Sequence, residues 1–124
     1  MNKKKYSKDH EWIELKDDIA TVGITNHAQE SLGDIVFVDL PEIGKVVTAG
    51  NEVSVIESVK AASDIYSPVD GEIIEINNKL SDDASLVNQM AETEGWIFKI
   101  KISNSSQIND LMHLSDYENF LKQE

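Results

Sequence analysis

The sequence predicts a mainly β domain: an antiparallel β-sandwich or flattened barrel, with one short helix near the N-terminal third and short helices at the C-terminal end. Three observations carry this reading. Short runs rich in β-branched and aromatic residues, about eight of them, recur at regular spacing up to Ile102. Turn residues punctuate these runs at Lys16-Asp17-Asp18, Pro41, Gly44 and Pro68-Val69-Asp70-Gly71. A length of 124 residues suits one domain with a sizeable core, and is too short for two full-sized ones.

Trp12–Leu15 and Ile19–Ile24 read as two strands of a hairpin closed by the polar break between them. Asn26–Leu32 reads as a short helix, with Asn26 as its cap, Gln29 three residues on as in a capping box, and Gly33 closing it. Ile35–Leu40 is β-rich up to Pro41, and Lys45–Thr48 follows Gly44 as another short run. Glu52–Ser58 alternates, with Val53, Val55 and Glu57 on one face and Ser54, Ile56 and Ser58 on the other. Ala62–Ser67 and Glu72–Asn77 flank the proline turn, and the polar loop from Asn77 to Asn88 is pinned by Leu80, Leu86 and Val87. Trp96–Ile102 is the last strand. Ser106–Leu114 and Ser115–Lys122 read as helices, the second opened by the box Ser115-x-x-Glu118 and carrying Tyr117, Phe120 and Leu121 on one side. With no linker or low-complexity tract, residues 1–124 form one domain.

Composition excludes several classes of function. The formal charge is −12, and all 11 basic residues are lysines. An acidic chain without the guanidinium fork is poorly suited to nucleic acid or anionic membranes. Cysteine is absent, which removes disulfide scaffolds, thiolate metal sites and thiol nucleophiles. No apolar run approaches the ~20 residues of a membrane span. The basic start, Met1 to Lys8, lacks the apolar core of a signal peptide and the arginines of a transit peptide, so the expected compartment is the cytoplasm.

Between the runs ending at Ser58 and resuming at Ser63 stands Val59-Lys60-Ala61-Ala62. A lysine between small residues at a hairpin tip is open to a modifying enzyme, although a solvated turn lysine has the same local appearance. The surrounding residues decide between these readings. Glu57-Ser58-Val59-Lys60-Ala61-Ala62-Ser63-Asp64, followed by Tyr66-Ser67-Pro68-Val69-Asp70-Gly71-Glu72, resembles the lipoyl-attachment segment of glycine cleavage system H proteins. The resemblance extends over nearly the whole chain. It includes Tyr6-Ser7-x-x-His10-Glu11-Trp12, Val22-Gly23-Ile24-Thr25-x-His27-Ala28-Gln29, Leu32-Gly33-Asp34, Val36-Phe37-Val38-Asp39-Leu40-Pro41, Leu86-Val87-Asn88 and Gly95-Trp96-x-x-Lys99-Ile100. A biotin carrier shares the hairpin lysine but shows methionines where this chain has Val59 and Ala61.

The resemblance implies a lipoyl-domain-like sandwich with a lipoyl-binding core over about residues 19–101. It implies lipoate in amide linkage on Lys60, and a non-catalytic carrier. The aminomethyl group of glycine would pass from the pyridoxal-phosphate P protein to the tetrahydrofolate-dependent T protein, and the flavoprotein L protein would reoxidise the arm. Lipoate ligase or lipoyltransferase would supply the group. Presenting one tip to several enzymes suits a monomer. In the family the loaded arm folds back into a surface cleft, and Glu11 and Asp64 occupy the positions of its acidic residues; plain surface charge is the competing reading for both. At Asp9 the family often has a small hydroxyl residue. Glu57 is implied to aid recognition by the lipoylating enzyme, against simple pairing with a nearby lysine.

The remaining chemistry-bearing residues point elsewhere. His10, His27 and His113 are scattered in sequence and read as structural or surface residues rather than metal ligands, with His113 at a helix end. Trp12 and Trp96 read as core residues in strands, with a place in the cleft wall the alternative for Trp12 beside Glu11, and Gly23, Gly33, Gly44, Gly71 and Gly95 read as turn formers. One segment departs from the family: Gln89-Met90-Ala91-Glu92-Thr93-Glu94 lacks its usual Pro-Tyr pair, and Asp83-Ala84 lacks a proline, which should loosen this loop. Two other functions compete with the carrier role: a lipoate relay to other complexes, and an unmodified interaction module.

Overall fold

The computed structural model describes residues 4–123, so the first three residues of the basic start and the last residue of the domain lie outside the described residues. Strands β1 (Lys4–Tyr6), β2 (Glu11–Lys16), β3 (Ile19–Ile24), β5 (Val46–Val47), β8 (Gly71–Ile76) and β9 (Phe98–Ile102) form one antiparallel sheet in the order β1-β2-β3-β9-β8-β5. Strands β4 (Ile35–Asp39), β6 (Glu52–Ser58) and β7 (Ala62–Tyr66) form a second sheet in the order β4-β6-β7. The mainly β sandwich that the sequence predicts is the observed fold.

One buried cluster takes side chains from both sheets: Ile13, Val22, Ile73 and Ile100 from the first, Val38, Ile56 and Ile65 from the second. Each such side chain contributes roughly 1.5–3 kcal/mol by leaving water. Tyr6, Trp12 and Tyr117 make a second cluster, which fastens the C-terminal helix α4 (Leu114–Lys122) onto β1 and β2. Tyr6 stacks on Tyr117 with ring centroids 4.8 Å apart. Among the described residues no helix is long and apolar enough to cross a membrane.

The hairpin between β2 and β3 closes on Asp17, whose φ of 58° an aspartate tolerates. Helix α1 spans Asn26–Leu32 as expected, but its cap is Thr25 rather than Asn26. Thr25 is extended and its Oγ1 accepts the Ala28 N–H at 3.2 Å, whereas Asn26 is already helical and gives its N–H to Glu92. The loop after Asn77 contains two short helices that the sequence did not reveal, α2 (Lys79–Asp82) and α3 (Leu86–Met90). Strand β1 was also hidden, being three residues long with two lysines.

The C-terminal segments start elsewhere than the sequence suggests. The first is a 3-10 helix over Ser105–Asp110, capped by the Asn104 side chain. Helix α4 begins at Leu114, so Ser115 lies in its first turn and does not cap it. Its start is set by the chain before it: Tyr6 and Met112 exchange two backbone hydrogen bonds of 2.8 Å. His113 therefore precedes a helix instead of ending one. Trp96 lies ahead of β9, half-buried, with Lys99 over its ring. Gly23 sits inside β3 rather than at a turn. A Cβ there would stand 2.7 Å from the Trp12 indole nitrogen, so the glycine makes room for the buried ring.

Candidate functional site

Strands β6 and β7 pair through Glu57 and Ala62, leaving Ser58 to Ala61 as the hairpin tip. Ser58 builds the turn from both of its polar groups. Its N–H donates to the Ala61 carbonyl at 2.7 Å, and its Oγ accepts the N–H groups of Lys60 (3.3 Å) and Ala61 (3.1 Å). The Val59 N–H donates to the Asp34 carbonyl at 3.0 Å, tying the tip to the loop after α1. Lys60 is thus exposed on a tip whose backbone is hydrogen-bonded on both sides.

Beneath it lies Gly33, which ends α1 with φ 81° and ψ −155° and donates its N–H to Gln29. This backbone region is essentially confined to glycine. A Cβ on Gly33 would come within 3.3 Å of Lys60 Cε, so the glycine also leaves room for the lysine stem. Asn88 holds this junction. Its amide donates to the Gly33 carbonyl (2.9 Å) and to Gln29 Oε1 (3.0 Å), and its Oδ1 accepts the Ile35 N–H (2.8 Å). In the sequence Asn88 is legible only as part of a motif; its role depends on a contact 55 residues away in the chain.

A cleft of about 280 Å³ opens beside α1, and its lining includes Ser31 and Leu32, which precede Gly33 in the chain. Ile24, Ala28, Leu32 and Ile65 give it an apolar lining, and Asp9, His10, His27, Ser31 and Ser63 a polar one. Among the described lining residues Asp9 is the one carboxylate. His10 and His27, distant in sequence, bring their rings within 4.8 Å. His10 has φ 68°, and its Nδ1 is hydrogen-bonded to the Tyr117 hydroxyl at 2.7 Å. That hydroxyl also meets Thr25 Oγ1 at 2.8 Å, so α4 braces the start of α1. Among the described residues no group of three or more His, Cys, Asp or Glu is placed to hold a metal ion.

The other acidic candidates lie off the cleft. Glu11 is buried, only 1% exposed, and does not line the cavity. Its Oε1 accepts the Ser7 hydroxyl at 2.8 Å and its Oε2 the Tyr66 N–H at 3.3 Å. Burial pushes its carboxyl up to about 7, against the lowering effect of those two donors, with the nearby Asp9 charge raising it further. Asp64 pairs with Val55 and is exposed, on the face of β7 opposite Ser63 and Ile65. Glu57 is exposed on that same outer face, between Phe37 and Ala62. The structure therefore brings Glu57 and Asp64 together on one surface and leaves Glu11 inside.

Known proteins resemble the chain in sequence and in fold. The family described as Glycine cleavage H-protein matches residues 4–124. The glycine cleavage system H protein of Thermotoga maritima is 52% identical over 124 residues, 100% of both chains. That of Salmonella arizonae is 57% identical over 121 residues, covering 97% of this chain and 94% of its own. The crystal structure of a glycine cleavage system H protein from Mycobacterium marinum superposes with a TM-score of 0.88 at 34% identity, covering 96% of each chain. The chain belongs to the glycine cleavage H-protein family.

Against the pattern of the glycine cleavage H proteins, segment 89–94 of this chain is tied down without prolines. Helix α3 runs to Met90, whose carbonyl accepts the Gly95 N–H at 2.8 Å. The Ala91 carbonyl accepts the Trp12 indole N–H at 2.8 Å, and the Glu94 carbonyl accepts from Asn77 at 2.9 Å.

Proposed function

We propose that this chain is the lipoyl carrier of a glycine cleavage system, with lipoate in amide linkage on Lys60. The observation that carries this reading is the placement of Lys60: exposed, on a tip pinned through Ser58 and Asp34, with its stem passing over Gly33, the residue that follows the cleft-lining Ser31 and Leu32 in the chain. The residues present suit that group. A cavity of about 280 Å³ lies just below the usual size of ligand sites, about 300 Å³ upward, and its apolar wall matches an alkyl arm. When bound, the lipoyl group supplies a dithiol–disulfide arm that carries the aminomethyl group of glycine from the P protein to the T protein and is reoxidised by the L protein.

The chain's own residues contribute position and shelter. The rigid hairpin gives Lys60 a fixed origin, so an arm attached there samples partner sites at high effective concentration. Ile24, Ala28, Leu32 and Ile65 offer an apolar wall on which a bound arm would be shielded from water. Asp9 is the carboxylate available to an amine inside it, and its charge is felt by the buried Glu11 carboxyl nearby. Glu57 and Asp64, on the outer face, serve the enzyme that modifies Lys60. The net charge of −12 steers the carrier, a cytoplasmic monomer in this reading, toward basic docking surfaces.

Reconstitution tests the proposal. The lipoylated chain should support exchange of glycine carboxyl carbon with bicarbonate by the P protein, and Lys60→Arg should not. A lipoylated chain inactive with P protein, yet able to pass lipoate to another complex, would replace the carrier reading with the relay.

A further inference from the structure

The outer face of the three-stranded sheet is patterned in a way that the cleft does not account for. Phe37, Glu57 and Ala62 form one cross-strand row on this face, and Asp39, Val55 and Asp64 form the next. Between Ile35 and Phe37, two steps of β4 pass one step of β6, so Val36 is the extra residue of a bulge. The bulge turns two successive side chains outward, Val36 at 60% exposure and Phe37 at 51%. Val59, on the tip beside Lys60, is 70% exposed. In a chain this acidic, three large apolar side chains gathered at one end of a sheet and bordered by carboxylates mark an interaction surface.

We propose that Val36, Phe37 and Val59, rimmed by Asp39, Glu57 and Asp64, are the docking surface for the enzyme that attaches lipoate to Lys60. The inference rests on the carrier reading above. Two features select this occupant. The attaching enzyme must bring its reacting carbonyl to Lys60 Nζ itself, so residues within a side chain's length of the tip are necessarily covered by it. Later partners need reach only the far end of the arm. The rim, in addition, presents carboxylates to whatever covers the face, which calls for a partner with an apolar centre and a lysine- or arginine-rich border. In the reaction served, lipoate and ATP first give lipoyl-AMP with release of pyrophosphate. The amide bond then forms between Nζ and the lipoyl carboxyl carbon as the carbon–oxygen bond to AMP breaks. AMP leaves, and the two protons shed by the ammonium pass to solvent.

The test uses the full unmodified chain with purified lipoate ligase, lipoate and ATP, following initial rates against carrier concentration. The double variant Phe37→Ser/Val59→Ser should raise KM about tenfold or more at unchanged kcat, with an unchanged thermal melt. Should the double variant lose its fold, Val59→Ser alone, at the solvent-facing tip, carries the test with a smaller rise of the same kind. The control Ile43→Ser/Val46→Ser removes two other exposed apolar side chains, 62% and 75% exposed, and should leave KM as it is. Raised salt should increase the wild-type KM by screening the rim. An unchanged KM in the tip variants, or an equal rise in the control, overturns the proposal. A parallel loss of reduction by dihydrolipoyl dehydrogenase, once the variants are fully lipoylated, would assign the surface to partners in general and overturn it too. A wild-type chain that accepts no lipoate at all would instead refute the carrier reading beneath it.

Discussion

Gly33 and Lys60 meet at the end of α1: a side chain on the glycine would begin 3.3 Å from the lysine Cε. The glycine is required twice, by its φ of 81° and by the stem above it. Gly33→Ala should therefore destabilise the fold by about 1–3 kcal/mol through backbone strain. It should also slow lipoylation at Lys60. Urea denaturation and a transfer assay, run on the same preparation, separate the two effects; an alanine variant as stable and as readily modified as wild type contradicts this account.

Asn88 should behave as a brace of the tip. Asn88→Ala leaves the Ile35 N–H and the Gly33 carbonyl without their side-chain partners, at a cost of about 1–3 kcal/mol. Asp34, between those two residues, accepts the Val59 N–H. Hydrogen exchange at Val59 should rise in the variant, while exchange at Ile100, in β9 of the other sheet, follows only the global change.

Glu11 makes stability depend on pH. Its folded pKa, about 7, lies above the ordinary value of 4.5, so the native state holds more protons between those values. The stability contributed by this group is complete below pH 4.5 and is lost as pH rises through 7, a change of about 3 kcal/mol. Glu11→Gln has no such titration. The wild-type stability minus that of the variant should fall from pH 5 to pH 8 in urea titrations; a difference independent of pH would show that burial does not hold the carboxyl protonated.

Gly23→Ala should disturb Trp12 more than its size suggests. The added carbon would stand 2.7 Å from an indole whose N–H is already committed to the Ala91 carbonyl. Overpacking of this kind costs about 1–3 kcal/mol. Near-ultraviolet circular dichroism should report the shifted tryptophan.

Much of this architecture was legible in the sequence, because alternation and turn chemistry agreed with the tertiary fold. The bounds of β3, α1 and β6 coincide with the expected ones for that reason. The site's supports were less visible. Asn88 acts through a contact that only folding creates, and a carboxylate at position 11 gives no sign that it will be buried with two donors. His10 and His27 looked unrelated; the positive φ at His10 and the Tyr117 hydroxyl bring His10 to the cleft. Gly23 read as a turn because its reason, the facing ring of Trp12, is a cross-strand contact.

Intact mass with peptide mapping reads out whether Lys60 is the point of lipoyl attachment. After incubation with lipoate ligase, lipoate and ATP, the wild-type chain should gain a single lipoyl group, on the peptide containing Lys60, and Lys60→Ala should gain none. An unmodified wild-type chain, under conditions that lipoylate a control domain, or an adduct that persists in the variant, would contradict the account.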